Sequence, residues 1–121
     1  MHKVYFYQDK GGKQPVLDYL KELSKKKDKS SRIKFNKIND YIQALSIYGT
    51  ALGEPYLKYL GENIWELRPL RDRILFVAWD KDSFVLLHYF MKKTQKTPMR
   101  EIERARRELA DLKERGIDNG K

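Results

Sequence analysis

The 121-residue chain predicts an α+β fold: a small, antiparallel-rich sheet, made of one N-terminal strand and a three-stranded meander, with a helix hairpin on one face and a C-terminal helix. Two patterns carry this prediction. Runs rich in β-formers mark strands near the N-terminus and in the second half, whereas apolar residues at helical spacing fill the region between them and the last quarter. The length fits one domain, which we place over residues 1–121.

The first half predicts one strand followed by two helices. Residues 3–7 alternate and form the strand, and a Gly-Gly turn follows. Pro15 suits the first turn of a short amphipathic helix. After a solvated basic run, the second helix is expected to be capped by Ser30 or Ser31 and to end at Gly49. The two helices would form a hairpin with one shared apolar face.

A three-stranded meander is predicted over residues 63–91, after an irregular connection that buries Leu57 and Leu60. Two-residue turns at 70–71 and 81–82 would set its register, and a one-residue slip in either would exchange the faces. This register places four polar side chains on one face: Glu66, Arg68, Arg73 and His88. The opposite face would carry the apolar residues that the helix hairpin covers: Trp65, Leu67, Ile74, Phe76, Ala78, Val85 and Leu87.

The C-terminal helix is predicted to begin with Thr97 as N-cap and Pro98 at its first position. An apolar stripe at helical spacing indicates that one face of this helix packs into the core: Ile102, Ala105, Leu109 and Leu112. Gly116 is expected to end the helix, and the tail after it is expected to fray.

Charge and composition narrow the partners. The formal charge is +9, from 26 Lys and Arg against 17 Asp and Glu, and it attracts polyanions such as nucleic acid or a ribosomal surface. A membrane is the weakest choice, because no apolar run has the length of a span and the N-terminus lacks a signal-peptide core. The absence of cysteine excludes thiolate chemistry and suits the cytoplasm. With only two histidines, we expect no metal and no cofactor.

The segment Leu86–Pro98 is an apolar strand that ends in three lysines before a proline. It delivers a histidine and several cations to one edge of the sheet, and the preceding hairpin brings arginines to the same region. Such a concentration of cations suits phosphate. Lysines at strand ends also protect sheet edges from aggregation, so the lysines alone do not indicate phosphate binding. The additional arginines of the hairpin favour that function.

Three motifs resemble those of HigB-type toxins of the RelE/ParE superfamily, in the phage-derived branch. They are Trp65-Glu-Leu-Arg68, Arg73-Ile-Leu-Phe76 and the whole of Leu86–Pro98, with its L-L-H-Y-F-M-K-K-T-Q-K-T-P. The resemblance covers nearly the whole chain and implies a RelE-like fold. It also implies cleavage of mRNA on the bacterial ribosome, and neutralisation by a cognate HigA-like helix-turn-helix antitoxin.

Metal-free RNA cleavage needs a base for the 2′-hydroxyl, cations beside the phosphate and an acid for the leaving oxygen. Arg68 and Arg73 suit the phosphate, because guanidinium stays charged and offers a fork of donors. His88 is the default acid or base, and cations near it would favour a neutral imidazole that acts as the base. Glu66 is either an alternative base or a carboxylate that holds the arginines. Lys93 is a further cation that can exchange a proton.

The identity of the general base stays open. A tyrosine late in the chain could act as the base, but no tyrosine follows Tyr89, and Tyr89 alternates away from His88. His88 could also merely fill space in its strand. Contacts with RNA or the ribosome are expected from four further cations: Lys58, Arg71, Lys92 and Lys96. Two functions from other classes fit the same charge. They are a ParE-like toxin that binds gyrase without chemistry, and a small basic phage protein that binds nucleic acid.

Overall fold

The computed structural model describes residues 1–117 and has α+β architecture. Its elements along the chain are β1 (Lys3–Phe6), α1 (Pro15–Lys25), α2 (Lys29–Tyr48), a 3-10 turn (Gly49–Leu52), β2 (Leu57–Gly61), β3 (Ile64–Leu67), β4 (Asp72–Asp80), β5 (Ser83–Met91) and α3 (Met99–Arg115). The strands form one mixed sheet in the order β1-β5-β4-β3-β2. β1 pairs with β5 in parallel, and the other neighbours are antiparallel.

The fifth strand, β2, replaces the irregular connection that the sequence predicts. Its residues pair with β3, so that Leu57 lies opposite Leu67 and Lys58 opposite Glu66. Leu57 is buried, as expected, whereas Leu60 is half-buried. The segment is a strand because the free edge of β3 offers it a row of backbone partners.

The helix hairpin packs on the face of the sheet opposite Glu66, as predicted. Its buried leucines, isoleucine and valine form one core with the sheet residues Leu67, Ile74 and Phe76. Asp28 caps α2, rather than Ser30 or Ser31, and its carboxylate accepts the Ser31 N–H at 2.9 Å. Gly49 ends α2 with a φ of 60°, as its position after the apolar stripe predicts.

A bulge in β5 corrects the predicted sheet faces. Leu75 lies opposite His88, as expected, but Phe76 lies opposite Leu86 rather than Leu87. The extra residue exchanges the two faces of β5 on its N-terminal side. Val85 and Leu87, predicted to face the helix hairpin, therefore belong to the core on the other side of the sheet.

α3 covers that other face. Ala105, Leu109 and Leu112 are buried against it, as predicted, and Gly116 ends the helix. Pro98 is the N-cap rather than the first helical residue, and the Thr97 hydroxyl bonds to Glu66 instead of capping the helix. The expected fraying concerns mainly residues 118–121, which lie outside the described residues. No helix within residues 1–117 has the length and apolar character needed to cross a membrane.

Candidate functional site

The register of the sheet aligns a polar row on the face that α3 partly covers. Lys58 lies opposite Glu66, Glu66 opposite Leu75, and Leu75 opposite His88. Residues directly opposite in antiparallel strands point to the same face. The pairing therefore brings Lys58, Glu66 and His88 to one side of the sheet, although they come from three different strands.

Glu66 is almost completely buried, and both of its carboxylate oxygens have donors. Oε1 accepts from Arg68 Nε at 3.1 Å, and Oε2 accepts from the Thr97 hydroxyl at 2.6 Å. One contact positions Arg68, and the other ties the segment before α3 to the sheet. Of the two roles that the sequence leaves open for Glu66, this geometry favours the one in which the carboxylate holds an arginine.

Arg73 is the most enclosed cation of the site, with 9% of its surface exposed. Its Nη1 donates to the carbonyls of Leu70 and Asp72, both at 2.9 Å. Within residues 1–117, Nε and Nη2 donate to no protein acceptor. Burial lowers the pKa of Arg73, and the Glu66 carboxylate opposes this effect. Arginine stays protonated in proteins even where burial lowers its pKa, so the side chain is a fixed cation with spare donors.

A narrow cleft opens beside Arg73. Its other walls are Glu66, Phe90 and the segment 92–98. Lys93 and Lys96 are exposed, and Lys92 is half-buried with its backbone N–H on the Arg71 carbonyl at 2.8 Å. We refer to this space as the Arg73 cleft. Its free volume is about 10 Å³, which holds about one water molecule, so a phosphate would bind at its mouth, where the lysines and an arginine with unused donors concentrate positive charge.

Two of the predicted contacts lie outside the Arg73 cleft. Lys58 is exposed on the edge strand β2, beside Glu66 in the register. Arg71 is exposed at the hairpin turn and lines a separate groove with Ile33, Leu70 and Met91. Both cations extend the positive surface around the cleft without lining it.

His88 lies among carboxylates rather than cations, so the predicted surroundings were wrong. Its side chain is fully buried, Nδ1 lies 2.5 Å from Glu108 Oε1, and Nε2 lies 3.0 Å from Glu101 Oε1. Both glutamates come from α3, seven residues apart, and therefore lie on the same side of the helix. Glu108 Oε2 also accepts from Arg104 Nε at 3.1 Å. His88 does not line the Arg73 cleft.

The spacing of Glu101 and Glu108 in the sequence could have indicated a buried partner such as His88. Spacing of seven residues beside the apolar stripe places two carboxylates on the buried face of α3, where they need a donor. Within residues 1–117, no group of three His, Asp or Glu side chains is arranged to hold a metal ion. Hydrogen bonds join His88 to Glu101 and Glu108.

Asp72 is a third buried carboxylate, and the sequence did not point to it. Its Oδ1 accepts from the Tyr19 hydroxyl at 3.0 Å, and its Oδ2 lies 3.7 Å from Lys34 Nζ. The Tyr19 ring stacks on Tyr89 with centroids 4.0 Å apart, and burial raises the pKa of Tyr19. These contacts join both helices of the hairpin to the strands that carry Arg73 and His88.

The family of the chain follows from comparison with known proteins. No curated protein matches the chain. The family model described as Phage derived protein Gp49-like (DUF891) matches residues 18–110, which include every residue that lines the Arg73 cleft. The family is of the RelE/HigB-like toxin type. The chain therefore belongs to the Phage derived protein Gp49-like family, and with it to a group of toxin-like proteins.

Proposed function

We propose that this protein is a HigB-type toxin with a RelE-like fold, belonging to a type II toxin–antitoxin system, and that it is an endoribonuclease which cleaves mRNA on the bacterial ribosome in the cytoplasm. The observation that carries the proposal is Arg73, a nearly buried cation whose Nε and Nη2 donate to no acceptor within the described residues, in a cleft lined by lysines. Family membership and the charge of +9 support it.

The proposed reaction needs no metal. The 2′-hydroxyl of one nucleotide attacks the adjacent phosphorus, a 2′,3′-cyclic phosphate forms, and the bond to the 5′-oxygen of the next nucleotide breaks. The attacking hydroxyl gives up a proton, and the leaving 5′-oxygen takes one. Arg73 would donate to the non-bridging oxygens, where negative charge grows in the transition state. Arg68, positioned by Glu66, would supply a second cation.

Proton transfer is assigned within the Arg73 cleft. His88 has both ring nitrogens on carboxylates and lies outside the cleft, so it is poorly placed to meet a substrate. Lys93 lines the cleft and is exposed, so its amine can reach a substrate bound there. We assign Lys93 as the first choice for exchanging a proton, with Glu66 as the second.

Primer extension on mRNA from induced cells tests the proposal. Discrete cuts in translated transcripts are expected from the parent protein, and Arg73→Ala should abolish them. Lys113→Ala is the matched control, because Lys113 is an exposed cation in the last turn of α3, away from the cleft. Growth arrest with fully intact transcripts would contradict the endoribonuclease assignment.

The proposed partner that neutralises the toxin is a HigA-like helix-turn-helix antitoxin. A chain of charge +9 favours a partner with a complementary acidic surface, and such an encounter is accelerated by electrostatic steering. Co-expression of the protein from an adjacent reading frame should restore growth, and the association rate should fall as salt rises. An association rate that is unchanged between low and high salt would contradict this part of the proposal.

One observation favours a second candidate function. The Glu66 oxygens and the His88 nitrogens are all occupied, so the two conventional bases near the site are not free. A toxin that binds gyrase, as ParE-like members do, needs no base. Inhibition of gyrase supercoiling by the purified protein, with translated mRNA left intact, would select this alternative.

A further inference from the structure

A second cavity lies beside the Arg73 cleft, and its volume of about 800 Å³ is within the range of small-ligand sites. Phe90, Pro98 and Met99 give it an apolar surface, while Lys93, Lys96 and Arg100 place positive charge around it. An apolar surface surrounded by cations suits a ligand that has a flat apolar part and also carries negative charge.

The two spaces share walls. Phe90, Lys93, Lys96, Thr97 and Pro98 line both the second cavity and the Arg73 cleft. The two spaces are therefore neighbours, and a ligand that spans their mouths would have an anionic group near the guanidinium and a flat group against Phe90. A nucleotide has these two parts, joined by a ribose. Nucleobases stack on aromatic rings, and the polarisable thioether of methionine packs well against them.

The wall between residues 97 and 101 is held at both ends. At one end the Thr97 hydroxyl donates to buried Glu66 at 2.6 Å, and at the other Glu101 Oε1 lies 3.0 Å from Nε2 of buried His88. Pro98 and Met99 lie between these two anchors. The cavity wall is therefore fixed before a ligand arrives, which lowers the entropic cost of binding.

We propose that this second cavity binds the nucleobase of a nucleotide whose phosphate lies at the mouth of the Arg73 cleft. Phe90 and Met99 form the stacking surface, and the surrounding cations contact the ribose-phosphate backbone. Only the identification of the ligand as RNA rests on the proposed function, since any nucleotide offers the same two parts.

The methionines of the chain provide a direct test, because there are three: Met1, Met91 and Met99. Met91 and Met99 line the cavity, whereas Met1 is 95% exposed and does not line it. The protein would be labelled with ¹³C at the methionine methyl groups and titrated with adenosine 3′-monophosphate, ribose 5-phosphate or inorganic phosphate. Substituting each cavity methionine by leucine assigns the signals.

The nucleotide should shift the Met99 methyl signal through the ring current of the base and leave the Met1 signal in place. Ribose 5-phosphate and inorganic phosphate should leave Met99 unshifted. Phe90→Leu should weaken nucleotide binding about fivefold or more, the lower end of what loss of one stacking contact costs, with phosphate affinity unchanged. Met99→Ser is a second variant at a site that is 59% exposed, where folding is not at stake.

Equal Met99 shifts with adenosine 3′-monophosphate and ribose 5-phosphate would overturn the proposal. So would parental nucleotide affinity in both variants. The test requires no cleavage, so its failure is distinguishable from failure of the proposed function. A shifted Met99 signal together with intact mRNA in cells would support the nucleobase site and contradict the endoribonuclease. An unshifted Met99 signal together with cleaved mRNA would support the endoribonuclease and contradict the nucleobase site.

Discussion

The same face of the sheet carries two charged clusters that differ in how far their hydrogen bonds are completed. Around His88, both ring nitrogens lie on carboxylates, and the cluster is closed beneath α3. Around Arg73, only Nη1 has protein acceptors within the described residues, and the side chain borders a cleft. Completed buried networks stabilise a fold, whereas an enclosed cation with spare donors is available to a ligand.

The difference arises from where α3 begins. The helix starts at Met99 and lies over the part of the sheet that holds His88, so its glutamates reach the imidazole. The segment 92–98 precedes the helix and supplies lysines but no acceptor for Arg73. Helix coverage therefore separates a structural cluster from a candidate binding cluster, and each of the following substitutions tests this separation.

Arg73→Ala should have the largest effect on function. Losing donors that stabilise a transition-state phosphate should cost roughly 2 to 4 kcal/mol, or about two to three orders of magnitude in cleavage rate. The rate would be measured on ribosome-bound mRNA, with circular dichroism to verify folding. A folded Arg73→Ala protein that remains fully toxic would show that the open cluster is not the site.

His88→Leu should affect stability rather than cleavage. The substitution leaves two nearly buried carboxylates without their partner, and breaking such a cluster costs about 3 kcal/mol or more. Urea denaturation would measure this loss, and His88→Gln, whose side-chain amide nitrogen can donate to a glutamate, should recover part of it. We expect the folded fraction of either variant to cleave mRNA at a rate near that of the parent. Unchanged stability combined with lost cleavage would instead place His88 in the reaction.

Thr97→Val should have an intermediate effect that links the two clusters. The variant keeps the size of the side chain but removes the hydroxyl that donates to Glu66 Oε2. We expect a loss of about 1 to 2 kcal/mol in the free energy of unfolding, since the acceptor is a buried carboxylate. Cleavage should fall severalfold, because the segment that carries Lys93 loses its anchor. Thr97→Ser, which restores the hydroxyl, should recover both quantities.

Tyr7→Phe should have the smallest effect, a loss of stability that is present at neutral pH and disappears at alkaline pH. The Tyr7 hydroxyl donates to Asp111 Oδ2 at 2.5 Å, and burial followed by this carboxylate raises the pKa of Tyr7 from 10.0 to about 12. Because the folded state holds the phenol proton more tightly, this contribution to stability is complete below pH 10 and is lost as pH rises towards 12. The stability of the parent should therefore fall more steeply over that range than the stability of Tyr7→Phe. Parallel curves would contradict the assigned contact.

The sequence predicted the helices and the face of the sheet that carries Glu66 and Arg73, because periodicity and two short turns set both. It did not predict the bulge at Leu87. The run from Phe84 to Leu87 is apolar throughout, so it gives no alternation from which a change of face could be recognised. It also missed β2, since Pro55 before the strand and Gly61 at its end are typical of loops.

The candidate site was predicted only in part, because the sequence shows local pairing but not how distant segments pack. Pairing across the hairpins placed Glu66 and Arg73 together, since register follows from chain-local turns. The partners of His88 come from α3, and how a helix lies across a sheet depends on packing between distant segments. The expectation of cationic neighbours for His88 took the lysines that follow β5 into account but not the glutamates of α3.

The parallel pairing of β1 with β5 affects how the protein folds during its synthesis. Lys3 and Phe6 pair with Ser83 and Leu86, so β1 can join the sheet only after β5, the last of the five strands, has been synthesised. Such distant pairings form late, and the Arg73 cleft also requires the segment that follows β5. We expect the sheet of the nascent chain to remain incomplete until β5 has been translated and has left the ribosome. The ribosome that makes the protein would then have translated all of segment 92–98 before the cleft exists.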